Sequence, residues 1–154
     1  MFRDMRRADR KLSELDAWEV IARGKYGTLS VMSMDGYPYG VPMHYVVIDN
    51  TICFHSTVEG GHKHDCIMKN GKVSFTVIEP LKGAKAQSAI IFGTISLVPN
   101  MREAVLEKII EKNVPEFAWE QAKGGIPFAK DGIHAYQLSV DHISGKWVDK
   151  PDKP

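Results

Sequence analysis

The sequence predicts a mainly β fold, an antiparallel barrel of six strands with helices packed outside it. Three observations carry that prediction. Six extended and largely apolar segments recur along the chain, and short turn signals such as Asp35-Gly36 and Asp49-Asn50 separate neighbouring ones. Two long stretches, residues 13–23 and 100–112, show instead the three-to-four-residue apolar spacing of a surface helix. No repeat, low-complexity tract or linker interrupts the 154 residues, so one domain over 1–154 is expected.

The elements follow in order. Residues 13–23, SELDAWEVIAR, start at a Ser13 cap with Asp16 three residues on, place Leu15, Trp18, Ile21 and Ala22 on one face, and stop at Gly24. YGTLSVMSM is a strand with Leu29 and Val31 on one side, and Asp35-Gly36 predicts a hairpin turn. The return strand, YPYGVPMHYVVID, contains Pro38 and Pro42. Each removes a backbone donor, so this strand reads as an edge, a bulge or an interrupted ladder. TICFHS is a short strand broken by Gly60-Gly61, and residues 62–69 form a helix with Ile67 and Met68 inward. KVSFTVI resumes the sheet, a loop follows over 79–86, and QSAIIFGTISLV is a long strand with Gly93 where it bends or meets another backbone. NMREAVLEKIIEK is a helix capped by Asn100 with a stripe of Met101, Val105, Ile109 and Ile110. Residues 114–131 read as loop with a short helical piece over 117–122. The last strand, GIHAYQLSVDHISGKWV, alternates Ile133, Ala135, Gln137 and Ser139 with His134, Tyr136, Leu138 and Val140.

Composition narrows the function. The apolar runs are too short to cross a bilayer, and the basic start MFRDMRRADRKL lacks the hydrophobic stretch of a secretion signal, so a cytoplasmic location is expected. Cys53 and Cys66 are then expected to be reduced, buried thiols. Twenty basic and nineteen acidic residues leave a formal charge of +1, which offers no global field for nucleic acid. Any anion must be held by local groups.

Residues 54–67, FHSTVEGGHKHDCI, concentrate such groups. A metal is one reading, but His62, His64 and Cys66 at i, i+2 and i+4 have no second ligand pair, so no metal site is expected. An anion is the other. A strand ending in Ser56-Thr57, a glycine pair, and a helix opening at His62-Lys63 supply hydroxyls, free backbone N–H groups, a positive helix end and a cation. No Walker spacing is present, so ATP chemistry is not implied. Asp141, His142, Ser144 and Lys146 form a polar cluster expected at the surface.

The segments YGTLSV, DGYPYGVPMHYVV and ICFHSTVEGGHKHDCIMKNGKVSFTVI, in that order, resemble the flavin-binding split-barrel proteins related to pyridoxamine 5'-phosphate oxidase, in particular the nitroimidazole-resistance branch. MFRDMRRADR, SAIIFGTISLV and DHISGK resemble that branch too, and the likeness is weakest over 111–131. It implies a six-stranded antiparallel split barrel, and a homodimer with FMN in clefts at the interface. By matching positions, His55 stands beside the flavin ring, where it orients or protonates the acceptor, and Ser56 and Thr57 lie on the path to the phosphate. Lys63 is the phosphate cation. The Gly60-Gly61 pair is one residue longer than the family's usual single glycine, so His62 also stands as a phosphate contact. Pro42, Met43, His44 and Tyr45 match the segment whose backbone runs along the ring, and Gln87, Ser88 and Ala89 the strand that reaches the cofactor from the partner. The implied activity is an FMN-dependent reduction of a small acceptor such as a 5-nitroimidazole, with a nicotinamide as a possible donor. The alternative is a flavin- or haem-binding sensor or carrier without turnover.

Overall fold

In a computed structural model, which describes residues 2–149, the strands form one antiparallel sheet. They are β1 (Tyr26–Met32), β2 (Pro38–His44), β3 (Val46–Ile48), β4 (Thr51–Thr57), β5 (Lys72–Leu81), β6 (Lys85–Leu97) and β7 (Ile133–Asp149). Their order across the sheet is β2-β1-β5-β6-β7-β4-β3. The two outermost strands, β2 and β3, are separated in sequence by Tyr45 alone. One continuous segment therefore crosses from one edge of the sheet to the other and curls it into a split barrel. This is why seven strands stand where six are predicted: the return strand is divided at Tyr45.

Tyr45 is held on every side. Its hydroxyl donates to the Ile21 carbonyl at 2.5 Å, and its ring meets Phe75 edge-on at 5.0 Å. Lys112 Nζ donates to the Tyr45 carbonyl at 2.8 Å and lies 3.7 Å from the ring centroid, over its negative face. Burial pushes the Tyr45 phenol above its ordinary range and the Lys112 ammonium down to about 8. Inside the barrel pack Leu29, Val31, Phe54, Phe75, Val77, Ile91 and Leu138. A smaller cluster of Val46, Cys53, Val105 and Ala135 lies between the sheet and a helix outside it. Cys53 and Cys66 are free and buried, as expected.

The helices pack as short amphipathic covers, with faces slightly different from those predicted. In α1 (Glu14–Arg23), Ser13 Oγ accepts from the Asp16 N–H at 3.0 Å and Gly24 closes the C-terminus. The buried face is Ala17, Val20 and Ile21, while Leu15 is 71 % exposed. The cause is a close approach to β7, where a Cβ on Gly145 would lie 2.8 Å from Ala17 Cβ, so the smallest residue of the helix faces the sheet. In α2 (His62–Lys69), Cys66 and Ile67 are buried and Met68 is exposed. Eight residues bury only a narrow stripe. α3 (Arg102–Asn113) begins after a 3-10 turn over Pro99–Met101, and Asn100 makes no cap, because the proline sets that turn one step earlier. Val105 is the buried residue of the expected stripe, with Met101 and Ile109 beside it. Short helices α4 (Trp119–Lys123) and α5 (Ile126–Ala129) fill the region read mostly as loop.

The stretch 79–86, expected as loop, is instead the tip of a hairpin in which Leu81 pairs with Lys85. Gly83 and Ala84 make its turn at φ 76° and 54°. Pro38 and Pro42 lie in β2, which is an edge strand, one of the three placements foreseen. Among the described residues no helix is long and apolar enough to cross a membrane.

At Gly93 the β6–β7 ladder shifts register, and a Cβ there would lie 2.0 Å from the Ser139 carbonyl oxygen. Backbone occupies that space, so Gly93→Ala is expected to destabilise the fold by about 2–3 kcal/mol. Urea unfolding checks it, as a lowered midpoint with unchanged slope.

Candidate functional site

α2 closes one end of the barrel, and the residues before it form a loop that only glycine fits. Gly60 has φ 75° and Gly61 has φ 148°, and no side chain caps the first turn of α2. Its opening N–H groups are therefore left without a side-chain acceptor.

The first three residues of α2 take different directions. His62 Nε2 is 2.9 Å from Ser33 Oγ and 3.7 Å from Cys66 Sγ, and its ring stands edge-on to Tyr39. His64 Nδ1 is 2.8 Å from the Tyr136 hydroxyl, and its ring stacks on His134 at 4.7 Å and 11°. Lys63 runs to the β2 end, its Nζ 3.5 Å from Met43 Sδ. No carboxylate answers it among the described residues, and burial pushes its ammonium below the usual lysine range. Of the two phosphate candidates, His62 is engaged with protein partners on the hairpin side and Lys63 is uncompensated. No three His, Cys, Asp or Glu side chains among the described residues gather as a metal site.

His55 stands opposite Ala135 in the β4–β7 ladder. Its Nδ1 is buried without a hydrogen-bond partner, a costly arrangement in a protein interior. Burial first, and then the nearby His44 and Lys63, hold the imidazole below its ordinary value, so it is neutral at pH 7. A neutral ring with a buried free nitrogen can donate to or accept from a ligand group. His44 lies against Tyr26 at 4.5 Å.

The structure gathers some of the predicted residues and separates others. His55, Ser56, Thr57, His44, Met43 and Lys63 lie at one end of the barrel. Ser56 Oγ is 3.4 Å from the Tyr136 hydroxyl, and Thr57 is exposed at the strand end. Met43 and Tyr45 point into the core, which leaves their backbone for any ligand; Pro42 points outward and lines a cavity of about 440 Å³ with Arg23, Thr28 and Ile78. Gln87, Ser88 and Ala89 lie near the start of β6. They pair with Trp147, Lys146 and Gly145, whereas the other end of β6, at Leu97, pairs with Tyr136 beside β4. Across the sheet, however, Pro42 faces Thr28, Thr28 faces Thr76 and Thr76 faces Ile90, so the β2 end lies three strands from Ala89. Gln87 Oε1 accepts from Arg23 at 3.0 Å, Ser88 is 5 % exposed, and the Ala89 side chain is core. Tyr136, His134, Ser33 and Tyr39 brace α2 and were not among the predicted residues. No local pattern marks them, because each meets α2 only through the tertiary fold.

The lowered His55 value has a consequence for stability. In the unfolded chain the imidazole binds a proton near pH ~6.5, and in the folded chain only at lower pH. Between those two values the unfolded state holds more protons, so stability falls as pH drops below about 6.5 and recovers above it. His55→Gln is expected to flatten that slope, which urea midpoints measured at pH 5.5 and 7.5 will show.

The comparisons agree with this architecture. The sequence profile of the pyridoxamine 5'-phosphate oxidase family matches residues 13–147. Among solved structures, a candidate 5-nitroimidazole antibiotic resistance protein from Bacteroides thetaiotaomicron superposes with a TM-score of 0.73 at 18% identity, over 89% of this chain and 86% of that one. An FAD-binding protein from Mesorhizobium loti superposes at 0.70 with 22% identity, over 91% and 98%. An FAD- and haem-binding protein from Mycobacterium smegmatis does so at 0.72 with 14% identity, over 94% and 77%. No curated protein matches the chain.

Proposed function

This chain belongs to the pyridoxamine 5'-phosphate oxidase family, a family of flavin-binding split-barrel proteins, and from that premise we propose that it is an FMN-dependent reductase of small acceptors such as nitroaromatics. The single observation that carries the proposal is the pair of unsatisfied groups at one end of the barrel. Among the described residues Lys63 has no counter-ion, and His55 has a buried ring nitrogen without a partner. The first suits a phosphate and the second the polar edge of a ring.

In this reading Lys63 and the opening N–H groups of α2 bind the phosphate, with Ser56 and Thr57 on the approach. A bound dianion draws the Lys63 ammonium back toward its ordinary range and so holds the proton on it. His62, tied to Ser33, positions the loop. His55 donates to the ring or to the acceptor and can return a proton, and the backbone of residues 42–45 runs along the ring. The flavin, when bound, supplies two-electron chemistry that no side chain here can. A nicotinamide is the donor class we assign, and a nitro group taking two electrons and two protons leaves as nitroso and water.

In this reading the protein is a homodimer, as the family resemblance implies, and the second copy brings the strand of Gln87, Ser88 and Ala89 to the cofactor. Two reduced, buried cysteines favour the cytoplasm. A second reading, a flavin or haem carrier without turnover, is favoured by the FAD- and haem-binding neighbour, which brings its ligands to this fold without any named reaction.

The absorption spectrum of the purified protein and titrations with FMN, FAD and riboflavin test the proposal. FMN is expected to bind more tightly than riboflavin. Lys63→Ala is expected to weaken FMN by about 10- to 100-fold, the loss of one charge-assisted contact, while leaving riboflavin unchanged. Equal losses for both ligands would remove Lys63 from the phosphate site. Reoxidation of the NADH-reduced protein that 2-methyl-5-nitroimidazole does not speed would establish the carrier. Sedimentation at the mass of one chain would exclude the interface site.

A further inference from the structure

Tyr136 ties the strand that carries Ser56 to the helix that carries Lys63. Its side chain is 0 % exposed, and its single hydroxyl meets two partners. Ser56 Oγ on β4 lies 3.4 Å away, and His64 Nδ1 on α2 lies 2.8 Å away. The His64 ring is held in that direction by its neighbours. His134 stacks on it at 4.7 Å and 11°, and a Cβ on Gly60 would lie 3.7 Å from its Cδ2.

A phenol and a serine hydroxyl carry one proton each, and each can donate only one hydrogen bond. Burial pushes the Tyr136 phenol above its usual range, with the Ser56 contact pulling the other way, so the phenol keeps its proton. If Tyr136 donates to His64, the only proton left for its contact with Ser56 is the serine's own, and Ser56 then turns lone pairs toward any ligand. If His64 Nδ1–H donates to Tyr136, Tyr136 donates to Ser56 and the serine proton is free. A phosphate dianion accepts hydrogen bonds and has none to give, so only the second direction suits it. The tautomer of one histidine thus decides whether a serine two groups away meets a ligand as a donor or as an acceptor.

We propose that the chain runs from His64 Nδ1–H to Tyr136, from Tyr136 to Ser56 and from Ser56 to the bound phosphate, and that His64 and Tyr136 are positioning residues that make the Ser56 hydroxyl a phosphate donor. The proposal rests on the phosphate reading given above. It assigns His64 a proton on Nδ1, and it gives the stacked ring of His134 the task of keeping that imidazole in line. Hydrogen bonds in such a chain polarise one another, so a phosphate that draws on Ser56 also strengthens the longer link, between Tyr136 and Ser56.

Long-range proton–nitrogen correlation spectra of the histidine rings in the ligand-free protein read the tautomer directly. A proton on His64 Nδ1 is expected, and a bare Nδ1 would overturn the proposal. Titrations with FMN and riboflavin read the consequence. Tyr136→Phe is expected to weaken FMN about 3- to 10-fold, the scale of one neutral hydrogen bond, and to leave riboflavin unchanged. Ser56→Ala is expected to do the same, and adding Tyr136→Phe to Ser56→Ala to cost no more, since the phenol acts through the serine. FMN binding that Tyr136→Phe leaves alone or tightens would mean that the serine proton points away from the ligand, and the proposal fails. Equal losses of FMN and riboflavin, or a loss from Tyr136→Phe that persists without the Ser56 hydroxyl, would reduce Tyr136 to a structural brace. Wild-type protein that holds FMN no tighter than riboflavin would sink the phosphate reading itself and the proposal with it, a result read before any variant is made.

Discussion

The fold turns on a single residue at which one strand leaves one edge of the sheet and joins the other. Tyr45 sits at that crossing, and four contacts hold it: a hydroxyl to the Ile21 carbonyl, an edge-on ring to Phe75, a carbonyl to Lys112 and an ammonium above the ring. These contacts reach α1, β5 and α3 from one side chain and its own carbonyl. Closure of the barrel, the seat of α1 and the position of α3 are therefore one geometric fact. The end of β2 that immediately precedes the crossing is also the part that faces Lys63 and His55, so the candidate site inherits its geometry from the closure.

The site itself is a place where the protein's internal satisfaction stops. Several polar groups elsewhere find partners: Arg23 reaches Glu79 and Gln87, Lys130 reaches Glu103, and the Trp119 N–H reaches a carbonyl, although Arg102 Nε is buried without one. At the α2 end a lysine without a counter-ion among the described residues, a helix start without a side-chain cap and an imidazole with a lone buried nitrogen stand together. A folded protein that leaves such groups close to one another has arranged positive potential in advance of a ligand, and stability is conceded locally for that arrangement.

Much of this was legible in the sequence, and what was not follows from contacts between distant residues. The six extended segments, the hairpin at Asp35-Gly36, the Ser13 cap and the close approach at Gly93 each rest on local chemistry, and each stands where it was read. The inward faces of α1 and α2 were misplaced by a step because they are set by what lies opposite, Gly145 beneath Ala17 in the first case. The Lys-, Ala- and Gly-rich stretch over 79–86 has weak strand propensity, yet the long ladder on either side carries pairing through to Leu81 and Lys85. Within the site, the glycine pair, Lys63 and His55 were visible by spacing and resemblance. The diverging paths of His62 and His64 were not, since Ser33 and Tyr136 lie far from them in sequence.

β2 forms one margin of the sheet, and two of its seven residues, Pro38 and Pro42, have no N–H to offer. An incoming strand would find that margin unable to complete a ladder, so growth of the sheet from molecule to molecule is blocked there. Association along that side by adding a strand is therefore disfavoured. The same two imino acids that make the strand hard to read as regular β structure guard the chain against fibrous stacking.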